Sequence, residues 1–391
     1  MTSSTSNSND NNNSNSNSNS NSNSNSNSNS NSATSNDATS INDTLLPTAE
    51  DSSAPRPSRF HTFRRLGWGL LIALILLAVA DIYIFRDAYT YDVGTEKGAR
   101  GGFIGQWAQL DRSFKAVDPA KIEYAVFGDS QSIDALRPDI MADELGVAAD
   151  QIFNFSVTGG KPTDIAYTYH QYIDRLPNLK RILLVVNEHQ LNSVDSAQDP
   201  KFKFHASLGE RWQAINKDNY GELLTGWVFR SFGMRSEWVK LVERYRSGEL
   251  PVNPPPYPGG IEPLTWSPPT DRTAEFAQTV ADRWFKGWQL DGVYAATFDT
   301  LVRDIRSDHI ALTIVQLPRA DLFEQVIDTD YAAEQQTYFD HIESTAAANS
   351  VEFTIMGEAL PLTLDFFRDT NHVNPQGAEA ISRYAADRWW R

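Results

Sequence analysis

Ile122-Glu123-Tyr124-Ala125-Val126-Phe127-Gly128-Asp129-Ser130 is the stretch whose reading decides the fold. A short run of β-branched and aromatic residues that stops abruptly at Gly-Asp-Ser predicts a buried strand carrying a serine to the rim of a sheet. In an open α/β sheet the ligand crevice lies beyond the carboxyl ends of the strands, so the Ser130 hydroxyl stands where chemistry takes place. Serine is a poor nucleophile until a base accepts its proton, and the rest of the chain has to supply that base.

Working outward, the same alternation of strand, loop and helix repeats. Strands are predicted at 122–127, 152–157, 181–186, 309–317 and 351–355. Helices are predicted at 133–145, 163–176 and 331–348, with a helical pair over 273–306. Arg181-Ile182-Leu183-Leu184-Val185-Val186 is almost continuously apolar, which suits a parallel sheet covered on both faces. The pattern predicts an α/β fold, a three-layer αβα sandwich with a mainly parallel sheet over residues 116–391. An insertion at about 198–270 breaks the rhythm, with Trp212, Trp227, Trp238 and Trp266 and the cluster Pro251, Pro254, Pro255, Pro256 and Pro258. The prolines predict irregular structure there. Trp212 and Trp227 are read as core residues, with the lining of a sugar-binding groove as the alternative.

Toward the N-terminus, residues 1–65 are read as a disordered Asn/Ser-rich tail, because nothing in them buries enough apolar surface to offset ordering entropy. Leu66 to Phe85 is apolar apart from Asp81, and a helix of that length covers about 30 Å, the hydrocarbon thickness of a bilayer. Arg56, Arg59, Arg64 and Arg65 precede it, while Asp87 and Asp92 follow. The positive-inside rule therefore predicts a single-pass cell-membrane protein with a cytoplasmic N-terminus and an extracytoplasmic main domain. A cleaved signal peptide ending at Ala78-Val79-Ala80 is the rival reading. Residues 86–115 are read as a connector containing Gly94, Gly98, Gly101 and Gly102.

The net charge of −16 falls mostly after residue 86, which argues against a nucleic-acid partner. Cysteine is absent, so neither a disulfide framework nor thiolate chemistry is available. His170, His205, His309 and His341 lack carboxylate or histidine neighbours at ligand spacing. No metal and no cofactor is expected.

Phe366-Phe367-Arg368-Asp369-Thr370-Asn371-His372-Val373-Asn374 closes the domain. Three-residue spacing lets the Asp369 carboxylate take one imidazole nitrogen of His372 while the other faces the cleft, which sets the tautomer of a general base. A Gly-Asp-Ser block at the first strand followed by an Asp-x-x-His block after the last resembles the SGNH or GDSL hydrolases. The resemblance covers about 120–391 in block order and implies a flavodoxin-like sandwich with Ser130, Asp369 and His372 as the catalytic triad. It further implies an oxyanion hole built from the serine N–H, a glycine of a second block and an asparagine of a third. Gly159 or Gly160 matches the second block, although Gly160 also reads as a plain turn residue. In the third block this chain has Asn187-Glu188-His189-Gln190 where the family has Gly-x-Asn-Asp, so the donor is Asn187, or its role passes to His189 or Gln190.

A degenerate third block and one N-terminal anchor are similar to the membrane-tethered branch of that superfamily, which serves alginate and cellulose O-acetylation and teichoic acid D-alanylation. That resemblance implies acyl transfer, most simply of acetyl, onto a cell-surface or secreted polysaccharide. It also implies a multi-spanning membrane O-acyltransferase as partner and a glycan as acceptor. Two alternatives stand beside it: a catalytically silent glycan-binding scaffold, and a general esterase.

Overall fold

Alternate residues of a strand point to opposite faces of its sheet, so a strand apolar on both sides needs a layer above and a layer below. The computed structural model builds that arrangement, and it describes residues 59–91, 103–194, 196–248 and 255–391. The chain divides into two units, residues 1–59 and 60–391. Residues 1–58 of the expected tail 1–65, the connector glycines Gly94, Gly98, Gly101 and Gly102, and Pro251 and Pro254 lie outside the described residues, while residues 59–65 of that tail are helical.

Among the described residues, five strands, β1 (Tyr124–Phe127), β2 (Ile152–Asn154), β3 (Arg181–Val185), β4 (Ala311–Gln316) and β5 (Glu352–Ile355), form one sheet in the order β2-β1-β3-β4-β5. Every pairing is parallel. Along β1, Ala125 and Phe127 enter one apolar layer and Val126 the other; along β3, Ile182 and Leu184 alternate with Leu183 and Val185 in the same way. The first layer is completed by the helices Gly105–Lys115, Pro162–Tyr172, Val293–Ser307 and Ala332–Ala348, through Phe114, Tyr169, Phe298 and Tyr338 among others. The second is completed by Pro138–Leu145 and Pro375–Ala385, through Met141 and Ile381, and by the C-terminal Trp389 and Trp390. The chain leaves β1 for β2 on one side and returns to β3 on the other, so the strand order reverses beside β1, and the crevice of an open sheet forms at such a point.

Three expectations are corrected. The connector contains the helix Gly105–Lys115, whose Trp107, Leu110 and Phe114 belong to the core. Its apolar positions recur at helical spacing, a signal that the neighbouring glycines obscure. The insertion is largely helical, with Pro200–His205, Leu208–Ala214, Tyr220–Val228, Arg230–Gly233 and Arg235–Arg246. Proline breaks only the segment it occupies: Pro200 stands at the first position of its helix, where proline is tolerated, and the other prolines of the insertion all follow residue 250. Trp212 and Trp227 are not core residues, being 68% and 38% exposed.

Arg59–Ala80 is one helix that continues as a π-helical turn over Asp81–Phe85. Among the described residues, Arg64–Phe85 is the single helical stretch long and apolar enough to cross a membrane.

Beneath the rim of β3, Arg319 is buried and donates to Glu188 at 2.7 Å, while its remaining guanidinium nitrogens grip Glu324 at 2.7 and 2.8 Å. Glu188 is itself buried and also accepts from Gln316 at 3.1 Å and Gln335 at 3.3 Å. Removing one member of a buried pair strands the other's charge, at a cost of roughly 3–5 kcal/mol. Arg319→Met is therefore expected to lower the unfolding free energy by about that much in urea titrations; a loss within the ~1 kcal/mol of a surface pair would contradict it.

Candidate active site

β1 ends at Phe127, and the next residues turn too tightly for a side chain at position 128. A Cβ on Gly128 would lie 2.5 Å from Ser132 Oγ and 2.8 Å from Val185 Cβ. Gly128→Ala is accordingly expected to cost ~1–3 kcal/mol by overpacking, read as a lowered denaturant midpoint; an unchanged midpoint would contradict the close approach. Asp129 caps the short helix Ser130–Ala135, its carboxylate accepting from Gln131 N at 2.9 Å. Ser132 Oγ donates to the Asp129 carbonyl at 2.7 Å, and the Asn154 amide donates to the carbonyls of Ser132 and Leu136 at 3.1 and 3.0 Å. Each of these partners is buried, so Ser130 emerges from a turn held on several sides.

The closing segment reaches back across the sheet to meet it. Ser130 Oγ and His372 Nε2 are 2.9 Å apart, although the two residues are separated by 242 positions in the chain. The other imidazole nitrogen, Nδ1, lies 3.0 and 3.2 Å from the two carboxylate oxygens of Asp369. Asp369 Oδ1 also accepts from the main-chain N–H of Asn371 at 2.9 Å and of His372 at 2.7 Å. Since an ionised carboxylate only accepts, Nδ1 carries the proton and Nε2 is left to accept from the serine hydroxyl. Burial pushes the Asp369 carboxyl upward, but the imidazole and the two N–H donors outweigh it and hold the group below the usual aspartate value. All three residues keep partial exposure, so the site is open to solvent. The loop is pinned at both ends: Arg368 pairs with buried Asp134 at 2.8 Å, and Asn374 caps the helix Pro375–Ala385 through the N–H groups of Gln376 and Gly377 at 3.0 Å each.

The remaining sequence-predicted residues take different places. Gly160 packs against the serine turn, where a Cβ would lie 2.8 Å from the Gly128 carbonyl, and its N–H donates to Val157 O at 2.9 Å. Gly159 holds the left-handed conformation, φ +58°, and its carbonyl accepts from buried Lys201 of the insertion. Among the described residues no main-chain carbonyl takes the Gly159 N–H. Asn187 is fully buried; its amide donates to Asp129 Oδ2 at 2.8 Å and Gln131 Oε1 at 3.1 Å, and its oxygen accepts from Gln190 N at 3.1 Å. Both amide hydrogens are engaged, so Asn187 braces the serine turn and has none left for a substrate oxygen.

His189 follows Asn187 but turns away into a cavity of about 310 Å³, which it lines with Lys161, Arg283, Trp284 and Tyr294. Its ring packs at 5.6 Å from Trp284. Burial, reinforced by the charges of Lys161 and Lys201, holds its imidazole well below the ordinary histidine value. Lys161 Nζ donates to the His189 carbonyl, and burial brings its ammonium down to about 7.

Gln131 is the residue that sequence reasoning misses. It donates to Asn371 O at 3.0 Å and accepts from Asn187, so one side chain ties the serine turn, the loop after β3 and the histidine loop together. Its only sequence signal is that it follows Ser130. The chain matches no protein-family model and no curated protein.

Proposed function

We propose that this chain is a membrane-anchored, extracytoplasmic acyl-serine enzyme of the SGNH type, most simply an O-acetyltransferase acting on a cell-surface or secreted polysaccharide. The observation that carries the reading is the relay from Ser130 Oγ through the His372 imidazole to the Asp369 carboxylate, at 2.9 and 3.0 Å.

In the first half-reaction the Ser130 oxygen attacks the acyl carbon of an ester, thioester or acylated-protein donor while His372 Nε2 takes the hydroxyl proton. Collapse of the tetrahedral adduct breaks the bond to the leaving group, which receives that proton from the imidazolium and departs. In the second half a sugar hydroxyl gives its proton to His372 and attacks the acyl-serine, which releases the ester and returns the proton to Ser130. Asp369 stays ionised throughout and stabilises the imidazolium. The N–H groups of Ser130 and Gly159 are the donors assigned to the developing oxyanion. A preorganised donor of that kind contributes on the order of 3–4 kcal/mol.

A basic flank and apolar length support the anchored reading, with arginines at 56, 59, 64 and 65 ahead of Leu66. A multi-spanning membrane acyltransferase is the partner that this placement suits, since it would deliver acyl groups to the outer face. The engagement of both Asn187 hydrogens favours a second reading, a silent scaffold in an acylation complex, because one expected oxyanion donor is spent on structure.

A single experiment separates these readings. The full chain in detergent is incubated with p-nitrophenyl acetate, with and without a soluble β-glucan or alginate oligosaccharide, and the peptide containing Ser130 is examined by mass spectrometry. An acetyl group on Ser130 that moves to the saccharide is the expected result. Transfer to water alone identifies an esterase, and an unmodified Ser130 under all conditions identifies the scaffold.

A further inference from the structure

Helices of the insertion gather around the C-terminal end of the apolar helix. Asp81, one turn before that end, is buried, and its carboxylate accepts from the N–H groups of Arg230 at 3.0 Å and Ser231 at 2.8 Å. Arg86, immediately past the apolar stretch, donates to the Val228 carbonyl at 2.9 Å and the Trp227 carbonyl at 3.3 Å. Phe85 and Trp238 bring their ring centroids to 6.0 Å, and Trp238 Nε1 in turn donates to Ser231 O at 3.0 Å. The turn 227–231 and the start of Arg235–Arg246 thus form a collar on residues 81–86.

That collar leaves large apolar side chains uncovered. Trp227, Val228 and Phe232 are exposed on it, and Val239, Val242 and Tyr245 follow at three-residue spacing along one stripe of Arg235–Arg246. Scattered apolar residues on a surface need no explanation, but six exposed within residues 227–245, beside the end of an apolar helix, do. Its charge also differs from that of the chain. Residues 220–248 hold Arg230, Arg235, Lys240, Arg244 and Arg246 against Glu222, Glu237 and Glu243, a balance of +2 in a chain of −16. Aromatic and aliphatic side chains beside basic residues are the composition of an element lying in the lipid interface.

From these observations we infer that the face formed by Trp227, Val228, Phe232, Val239 and Val242 rests on the surface of an anionic phospholipid bilayer, at the point where the apolar helix enters it. The inference rests on the anchored reading of Arg64–Phe85. Its consequence is orientation: the sheet domain is held at the lipid surface by two attachments, so the tether cannot swing freely. Asp81 is the device that joins them, because its carboxylate is satisfied by insertion N–H groups and so avoids facing hydrocarbon uncompensated.

The absence of cysteine makes the test direct, since every engineered thiol is the only one in the chain. Full-length Leu74→Cys, Val239→Cys, Val242→Cys and Ser344→Cys are each labelled with a nitroxide and placed in phosphatidylcholine vesicles containing phosphatidylglycerol. Collision with oxygen, which concentrates in lipid, is compared with collision with a water-soluble nickel chelate. Leu74 reports on the apolar helix, and Ser344, exposed on Ala332–Ala348, is the aqueous reference. The expected result is an oxygen-to-nickel ratio several-fold higher at 239 and 242 than at 344, falling when phosphatidylglycerol is omitted. A lipid signal at 74 with an aqueous signal at 239 and 242 overturns the inference and leaves the anchor standing. Shielding of 239 and 242 from both reagents marks a protein partner or a second copy, and also overturns it. An aqueous signal at 74 removes the anchor and the inference together.

Discussion

Replacing Ser130 by alanine is expected to abolish acetyl capture and to reduce turnover of an acetyl ester by on the order of 10⁴- to 10⁶-fold, which is about 5–8 kcal/mol of barrier. The size follows from the way a triad acts as a unit. Once the oxygen 2.9 Å from His372 Nε2 is gone, the base has no proton to take and the acyl carbon has no protein atom to join. Only binding and the oxyanion donors remain, and these alone leave a small residual rate over water. The fold should be untouched, because the contacts that hold the turn are made by Asp129, Ser132, Asn154 and Gln131, and not by the Ser130 hydroxyl. Unchanged denaturation with complete loss of phosphonate labelling is the outcome that supports the enzyme. Labelling that survives in Ser130→Ala contradicts it.

Asp369→Asn is the second large effect and tests the orienting acid separately from the nucleophile. An asparagine of the same shape can donate to Nδ1, which places the imidazole proton on Nε2, where it faces Ser130 and cannot accept. A fall in kcat on the order of 10⁴-fold with little change in KM is expected. Stability offers an independent readout. The Asp369 carboxyl sits below its usual value in the folded chain, so its contribution is present above the unfolded-state value of about 3.9 and is lost as pH falls through the folded-state value. Urea titrations from neutral pH into acid should therefore show wild type more stable than Asp369→Asn near neutrality, with the two converging in acid. A difference between them that stays constant across that range would mean that the carboxylate gains nothing from His372 and its N–H donors.

Much of the architecture is legible in local patterns. Continuous apolar runs such as Ile182-Leu183-Leu184-Val185 require cover on both faces, and the structure supplies it with helices on each side of a parallel sheet. The insertion was less legible. Its proline cluster suggested irregularity over a segment whose first two thirds are helical, since a proline signal is strong but acts only where the residue sits. Exposure of Trp212 and Trp227 could not be read either, because an amphipathic helix shows which face is apolar and not what covers it.

Within the candidate site the division has a clear physical origin. By itself the sequence determined the parts whose signal is local: a strand ending in Gly128-Asp129-Ser130, an Asp369 and His372 three residues apart, and an apolar stretch of membrane-spanning length after a basic flank. Only the tertiary structure decided which parts meet. That Ser130 reaches His372, that Asn187 spends both amide hydrogens on Asp129 and Gln131, that His189 turns into a separate cavity, and that Asp81 is capped by Arg230 and Ser231 all depend on contacts across 56 to 242 residues, or on the direction a side chain takes after a shared strand end. A hydrogen bond is set by position and angle to within a few tenths of an ångström, and no spacing along a chain encodes that before the sheet has brought its strand ends together.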